Sequence, residues 1–312
     1  MPRILEVVTT NAGAIRTLFE ALKDILNEAN LEFIAPQPNK FGGIKLTAIN
    51  KQKTCLINMK LKASNFAKFD IKKPKHSVGV ELNSFFKYIR MLEASDTLTF
   101  YVDQDRDSEL GIQVSNAQKG TLVNMNFKTM EISSKQYDIK DTVFPTQITM
   151  ESQSFHKLCR ELSGISDKVT ITNHKSKMIF SVKGESGDID YIFSGEQDNN
   201  VRVKKGKNHL NAENAEQEVN NEVDEPGEEF KPDEIIKGKF ELKNLAMFSK
   251  CASLCTTIDI LMKNNYPLLV RYIVPSKGNI LFCLTPSKDD EELDDEEGGE
   301  DGEVNNTVDD DE

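Results

Sequence analysis

Apolar residues recur at three- and four-residue spacing in four stretches of this chain: Ala14–Ala29, Leu82–Leu92, Ser154–Ile165 and Leu242–Cys255. That period predicts amphipathic helices. Between them the period falls to two. Ile44–Ile49 and Thr54–Lys62 read as a hairpin across Asn50-Lys51-Gln52-Lys53. Thr97–Asp103, Gly111–Ser115 and Thr121–Lys128 alternate like strands, as do Lys168–Thr172, Met178–Lys183 and Asp188–Ser194. Leu268–Val274 and Asn279–Leu284 close the set. Few of these strands are separated by helices, so the expected class is α+β with largely antiparallel sheets.

The pattern repeats. Val80-Glu81-Leu82-Asn83-Ser84-Phe85 opens the second helix, and Phe240-Glu241-Leu242-Lys243-Asn244-Leu245 opens the fourth. Each half runs strand, helix, strands, helix, strands, which a duplicated unit explains. Residues 1–129 form the first expected domain and 147–288 the second. The polar segment 130–146 is long for a loop inside a compact domain and reads as a connector. An acidic insert, about 199–233, lengthens the second domain ahead of its second helix.

Each helix also carries two cations away from its apolar stripe: Arg16 and Lys23, Lys87 and Arg90, Lys157 and Arg160, Lys243 and Lys250. Their spacings of seven, three, three and seven return to roughly one helix face. Glu20 lies near Arg16, so that first face is not purely basic. The net charge of −12 conceals this pattern. The tail 289–312 holds 15 Asp or Glu and no Lys or Arg, and without it the chain carries +3. A second stretch, Glu213–Glu234, holds ten acidic residues against one Lys. Both are too poor in apolar residues to build a core. Basic faces repeated on four helices of such a body point to an anionic partner, with a nucleic-acid backbone as the first candidate.

Catalytic motifs are missing. There is no Gly-rich phosphate loop and no dinucleotide-binding turn, and Gly184-Glu185-Ser186-Gly187-Asp188 reads as a hairpin turn. Asp103, Asp105 and Asp107 alternate like a calcium loop, but Ser108 and Val114 stand where Gly and Glu are required. His76, His156, His174 and His209 are scattered, and Cys251 and Cys255 have no second ligand pair nearby. We therefore expect no enzyme activity, no cofactor and no metal. Five cysteines in apolar patterns fit a reducing compartment, and no apolar run is long enough to span a bilayer.

Three collinear segments resemble the proliferating cell nuclear antigen family of eukaryotic-type DNA sliding clamps. They are Phe19-Glu20-Ala21-Leu22-Lys23-Asp24 with the following Ile25–Ala29, then Phe155-x-x-Leu158-Cys159-Arg160-Glu161-Leu162-Ser163-x-Ile165-x-Asp167, then Pro267-Leu268-Leu269-Val270-Arg271-Tyr272 with Leu284-Thr285-Pro286 and an acidic end. The resemblance implies a DNA-clamp fold: two duplicated domains, each with two helices on antiparallel sheet, closing as a homotrimeric ring around duplex DNA. The eight cations named above would then line the hole.

The family binds partner peptides beside its connector. By position, that pocket would use Ile49, Thr54 and Leu56 from the first hairpin, Tyr137 and Ile139 from the connector, and Pro267, Cys283 and Pro286 from the C-terminal end. Tyr137 and Ile139 are apolar in an otherwise polar connector. Thr54 replaces a usual valine-like residue and Cys283 a usual aromatic, which implies a wider or more polar pocket. The usual ending is altered to Thr285-Pro286-Ser287-Lys288-Asp289. Ring closure would use the edge strands Gly120–Asn126 and Asp188–Ser194, burying Leu122, Val123, Ile189, Tyr191 and Phe193 between subunits. Lys175 falls where the family carries a lysine modified by ubiquitin-like proteins.

The function so implied is that of a processivity factor tethering DNA polymerase and other replication and repair proteins. The implied partners are double-stranded DNA, further copies of the chain, a clamp loader, ligase and nucleases. Two alternatives stay open: a subunit of a heterotrimeric checkpoint-type clamp, and an acidic scaffold or chaperone acting through the tail. The implied location is the nucleus, or a cytoplasmic site of viral replication.

Overall fold

The computed structural model describes residues 2–133, 137, 142–174, 176–194, 201–209, 235–274 and 278–287. The first half contains β1 (Arg3–Thr9), α1 (Ala12–Ile25), β2 (Glu28–Ile34), β3 (Gly43–Ile49), β4 (Cys55–Lys62), β5 (Lys68–Ile71), β6 (Lys75–Glu81), α2 (Leu82–Ile89), β7 (Thr97–Asp103), β8 (Glu109–Asn116) and β9 (Thr121–Lys128). The second contains β10 (Val143–Glu151), α3 (Ser152–Ser163), β11 (Lys168–His174), β12 (Lys177–Gly184), β13 (Gly187–Ser194), β14 (Val201–His209), β15 (Ile236–Glu241), α4 (Leu242–Ser249), β16 (Thr257–Met262), β17 (Leu268–Val274) and β18 (Gly278–Leu284). Both halves run strand, helix, five strands, helix, three strands, so the duplication is present element by element.

The sheets repeat the same plan. The first half supplies the orders β5-β1-β7-β8-β9 and β4-β3-β2-β6, and the second supplies β14-β10-β16-β17-β18 and β13-β12-β11-β15. All pairings between the named strands are antiparallel. Among the described residues one strand pairing joins the halves: β18 pairs with β4, from Gly278↔Leu61 to Leu284↔Cys55, and fuses two of the sheets into one of nine strands.

The helices pack on the sheets as one layer. Ile15, Leu18, Phe19, Leu22 and Ile25 of α1 share a single core with Leu82, Phe85 and Ile89 of α2, Phe155, Leu158 and Leu162 of α3, and Leu242, Leu245 and Phe248 of α4. Sheet residues Ile57, Phe180, Ile280 and Phe282 complete it. Ring contacts join helix to helix and helix to sheet. Phe19 meets Phe85 edge-on at 4.9 Å, and Phe248 stacks on Phe282 at 4.5 Å. Neighbouring packing places the helices in the row α2, α1, α4, α3.

Sequence boundaries move at several points. The first helix ends at Ile25 rather than Ala29. Leu26 is extended at ψ 145°, and Ala29, Leu31 and Phe33 then alternate inward as β2 pairs with β6. The fourth helix is α-helical only to Ser249, and Lys250–Leu254 continue as a tighter 3-10 turn. The stretch expected as an acidic insert opens with a strand. Val201 and Val203 pair with Met150 and Ile148 in β14, and Val201 is buried. Residues 210–234 lie outside the described ones. The expected connector likewise gives way to β10 at Val143, and Pro145 falls at a register shift between Phe144 and Thr146, where a missing N–H costs no ladder bond. Before that, the connector crosses β6. Met130 and Gly79 bridge, and a Cβ on Gly79 would stand 2.0 Å from the Met130 carbonyl oxygen.

Candidate functional site

The polar faces of the four helices point away from the sheets, and the eight cations lie along them in two states. Lys87, Arg90, Arg160 and Lys243 are exposed and make no ion pair among the described residues. The other four are engaged. The Arg16 guanidinium donates from Nη1 to the Leu92 carbonyl at 3.0 Å, and its Nε is buried without a hydrogen bond. Lys157 lies 3.9 Å from Glu161, one turn along α3. Lys23 donates to Asp24 Oδ1 at 2.6 Å and sits 5.4 Å from the Phe86 ring centroid. Lys250 donates to the other oxygen of the same carboxylate.

Helix caps hold these positions. Asn11 accepts from the Ala14 N–H at 3.3 Å at the start of α1. Glu81 accepts from the Asn83 and Ser84 N–H groups at 3.0 and 2.7 Å at the start of α2. The Ser84 bond is the main reason its carboxyl lies below the ordinary carboxylate range, with Asn83 helping and slight burial opposing. Arg90 follows α2 and Lys250 follows α4 at equivalent cap positions, with φ/ψ of −60°/−23° and −61°/−21°.

On the opposite, outer face of the nine-stranded sheet, alternate strand positions form an apolar row. The register runs Ile49↔Leu56, Leu56↔Cys283, Cys283↔Leu269 and Leu269↔Leu261 across five strands. Phe144 and Leu281 join Leu261 and Leu269 in a small separate core, with Tyr266 and Cys283 packed against it. Ile49, Leu56 and Cys283 stay half-exposed at one end. Burial lifts the Cys283 thiol to about 12, which leaves it a neutral apolar side chain.

Thr54 sits beside the C-terminal end: its carbonyl accepts from the Thr285 N–H at 2.9 Å, and its hydroxyl from Asn50 at 3.0 Å. Pro286 and Tyr266 border a neighbouring cavity of about 300 Å³, also lined by Lys237, Lys239 and Lys263. Pro267 is half-buried and follows Tyr266. The fold thus gathers Ile49, Thr54, Leu56, Cys283 and Pro286 at one edge. Tyr137 is half-buried, and Ile139 lies outside the described residues. Lys175 lies outside them as well. Phe144 stands in the expected connector, and Leu261, Leu269 and Leu281 stand in apolar runs such as Leu268-Leu269-Val270, which hide the residues that face outward.

Both expected edge strands end a sheet. β9 closes the five-stranded sheet and β13 the four-stranded one. Leu122 is 59% exposed, Val123 38% and Ile189 37%. Tyr191 and Phe193 are half-buried. Tyr191 donates to Glu161 at 3.0 Å, and Phe193 packs on Phe180. Ile192, on the other face of β13, is as exposed as Leu122 and was not anticipated.

A duplicated β-α unit with its helices in one layer, cations on their free side and an open strand at each end defines the two-domain clamp fold. The family models agree. "Proliferating cell nuclear antigen, N-terminal domain" matches residues 4–137, and "Proliferating cell nuclear antigen, C-terminal domain" matches 138–287. The chain belongs to the proliferating cell nuclear antigen family.

Among its relatives is a protein of Acanthamoeba polyphaga mimivirus named "Probable DNA polymerase sliding clamp". It is 25% identical over 91% of this chain, which spans 62% of that protein's length. "Probable DNA polymerase sliding clamp 1" of Paramecium bursaria Chlorella virus 1 is 25% identical over 91% of this chain and 97% of its own. "Proliferating cell nuclear antigen" of Chaetomium thermophilum is 26% identical over 93% of this chain and 100% of its own.

Proposed function

We propose that this chain is a DNA sliding clamp: three copies close into a ring around duplex DNA and tether DNA polymerase as a processivity factor. One observation carries the reading. Within the chain, the ninth strand of the second half pairs with the fourth strand of the first, β18 with β4. The ninth strand of the first half, β9, and the fourth of the second, β13, are the matching strands, and both lack a neighbour on one side. A second copy repeats the internal junction by pairing its β13 with this β9. The contact is heterologous and closes when the rotation allows, here after three copies and six junctions.

Ring closure turns the helix layer inward. Lys87, Arg90, Lys157, Arg160, Lys243, Lys250, Lys23 and, less freely, Arg16 then face the duplex. Contacts to phosphate carry no sequence information and weaken with salt, as sliding requires. The outer apolar row, reached from Ile49, Leu56, Cys283 and Pro286, receives short partner peptides with apolar anchors, in the manner of a helix turn laid in a groove. From the connector, Tyr137 is the described residue assigned to it. Polymerase, clamp loader, ligase and nucleases are the partners proposed for it. The chain performs no catalysis in this scheme, and its Lys175 is a candidate for modification.

The test is primer extension by a replicative polymerase on a long singly primed circle, with a clamp loader and ATP. The chain lengthens products made in a single binding event. Products of unchanged length in the presence of loaded chain would defeat the proposal.

A further inference from the structure

The two most distant lysines of the helical face meet at one carboxylate. Asp24 lies in the last turn of α1, where the helix dipole disfavours a negative charge. Its presence there does not serve the helix. Instead it accepts from Lys23, its neighbour in the first half, at 2.6 Å, and from Lys250, 226 residues away at the start of the turn after α4. Partial burial pushes this carboxyl up, but the hydrogen bonds from Lys23 and Lys250 outweigh it and hold the group below its ordinary range. The triad therefore carries one net positive charge where two lysines stand, and its three side chains are only partly exposed.

We propose that Asp24 is a positioning residue that tempers the helical face: it binds Lys23 and Lys250 to each other's side and withholds about one cation per copy from the DNA phosphates. The inference rests on the reading of that face as the phosphate-contacting one. A phosphate must compete with the Asp24 carboxylate for each ammonium, whereas Lys87, Arg90, Arg160 and Lys243 have no such competitor among the described residues. Both halves of the chain meet at this point, so the tempering sits where α1 packs against α4 and the turn after it.

Equilibrium binding to a short linear duplex, titrated from 50 to 200 mM salt, tests it. Asp24→Asn should bind more tightly at 50 mM. Its affinity should fall about three- to fourfold further than wild type over that range for each copy whose freed lysine meets a phosphate, and about fortyfold further when all three copies do, as one additional released counterion per copy requires. A role confined to stability would lower the melting temperature and leave the salt slope unchanged, and that result overturns the proposal. Asp24→Glu should restore wild-type behaviour. If Asp24→Asn does not fold, Lys250→Met serves instead. It should weaken binding less than Arg90→Met at the equivalent cap position, and an equal or larger loss also overturns the proposal. Loss of binding in Arg90→Met with no change in Asp24→Asn refutes this inference alone. Unchanged binding in Lys87→Ala, Arg90→Met and Lys243→Ala together refutes the DNA-facing reading beneath it.

Discussion

Ile189→Asp should dissolve the ring while leaving the monomer folded. At the internal junction the inward residues are fully covered: Ile57, Met59, Ile280 and Phe282 are each 0% exposed. Their counterparts on the open edges are not, with Ile189 at 37% and Val123 at 38%. Closure that repeats the internal junction covers this remainder. Full burial of such a side chain is worth about 1.5–3 kcal/mol, so the exposed third of Ile189 contributes about 0.5–1 kcal/mol per interface. Aspartate forfeits that and adds an unpaired charge to the seam, a penalty of several kcal/mol. Asp188 and Asp190 already flank the position.

A total near 4 kcal/mol per interface is about a thousandfold. Three interfaces compound to about 10⁹ in the trimerisation constant, and the midpoint concentration, which follows its square root, rises about 10⁴- to 10⁵-fold. Light scattering at 10 µM should report three times 35.2 kDa for wild type and 35.2 kDa for the variant. Leu122→Asp on β9 should do the same from the other side. Ile273→Asp, at a position 47% exposed on the internal strand β17, should remain trimeric. An Ile189→Asp protein that stays trimeric through dilution to nanomolar concentration would refute the reasoning.

Leu56→Ala should weaken binding of a partner peptide about tenfold, the loss of one well-packed apolar anchor contact, and leave the trimer mass unchanged; calorimetry with a fluorophore-free peptide measures it. Arg271 and Asp259 form a buried ion pair at 2.9 Å on the outer face, next to Leu269 and Leu261. Arg271→Met should therefore cost about 3–5 kcal/mol in urea unfolding, and adding Asp259→Leu should recover most of it. Glu81 contributes stability that is complete above its ordinary 4.5 and is lost as pH falls through its lowered folded value. The gap in melting temperature between wild type and Glu81→Gln should close over that acid window and stay constant from pH 5 to 8.

Much of this fold is legible in the sequence because its signals are local. Periods of 3.6 and 2 mark all four helices and most strands, and the Glu-Leu pair that opens α2 and α4 exposes the duplication. What escapes is set by pairing rather than pattern. Glu28 and Ala29 continue a helical stripe, yet their partners on β6 draw them into a strand. Val201–His209 reads as the start of a polar insert, because only two valines announce a strand that β10 completes. The cations were legible as residues but not as states. Nothing near Lys250 in sequence shows that Asp24 holds it. The outer apolar row was half legible: Ile49 and Leu56 stand in a clear hairpin, while Leu261, Leu269 and Leu281 are hidden in runs where every residue is apolar.

The central claim is encirclement, and topology tests it. The chain is loaded onto a nicked circular duplex by a clamp loader, isolated on the DNA by gel filtration, and the circle is then cut once with a restriction enzyme. Encirclement predicts retention on the closed circle in moderate salt and rapid loss once ends exist, with retention restored when both ends are blocked by bound protein. A chain that remains equally on linear DNA with free ends, and leaves circle and line alike as salt rises, would contradict the account.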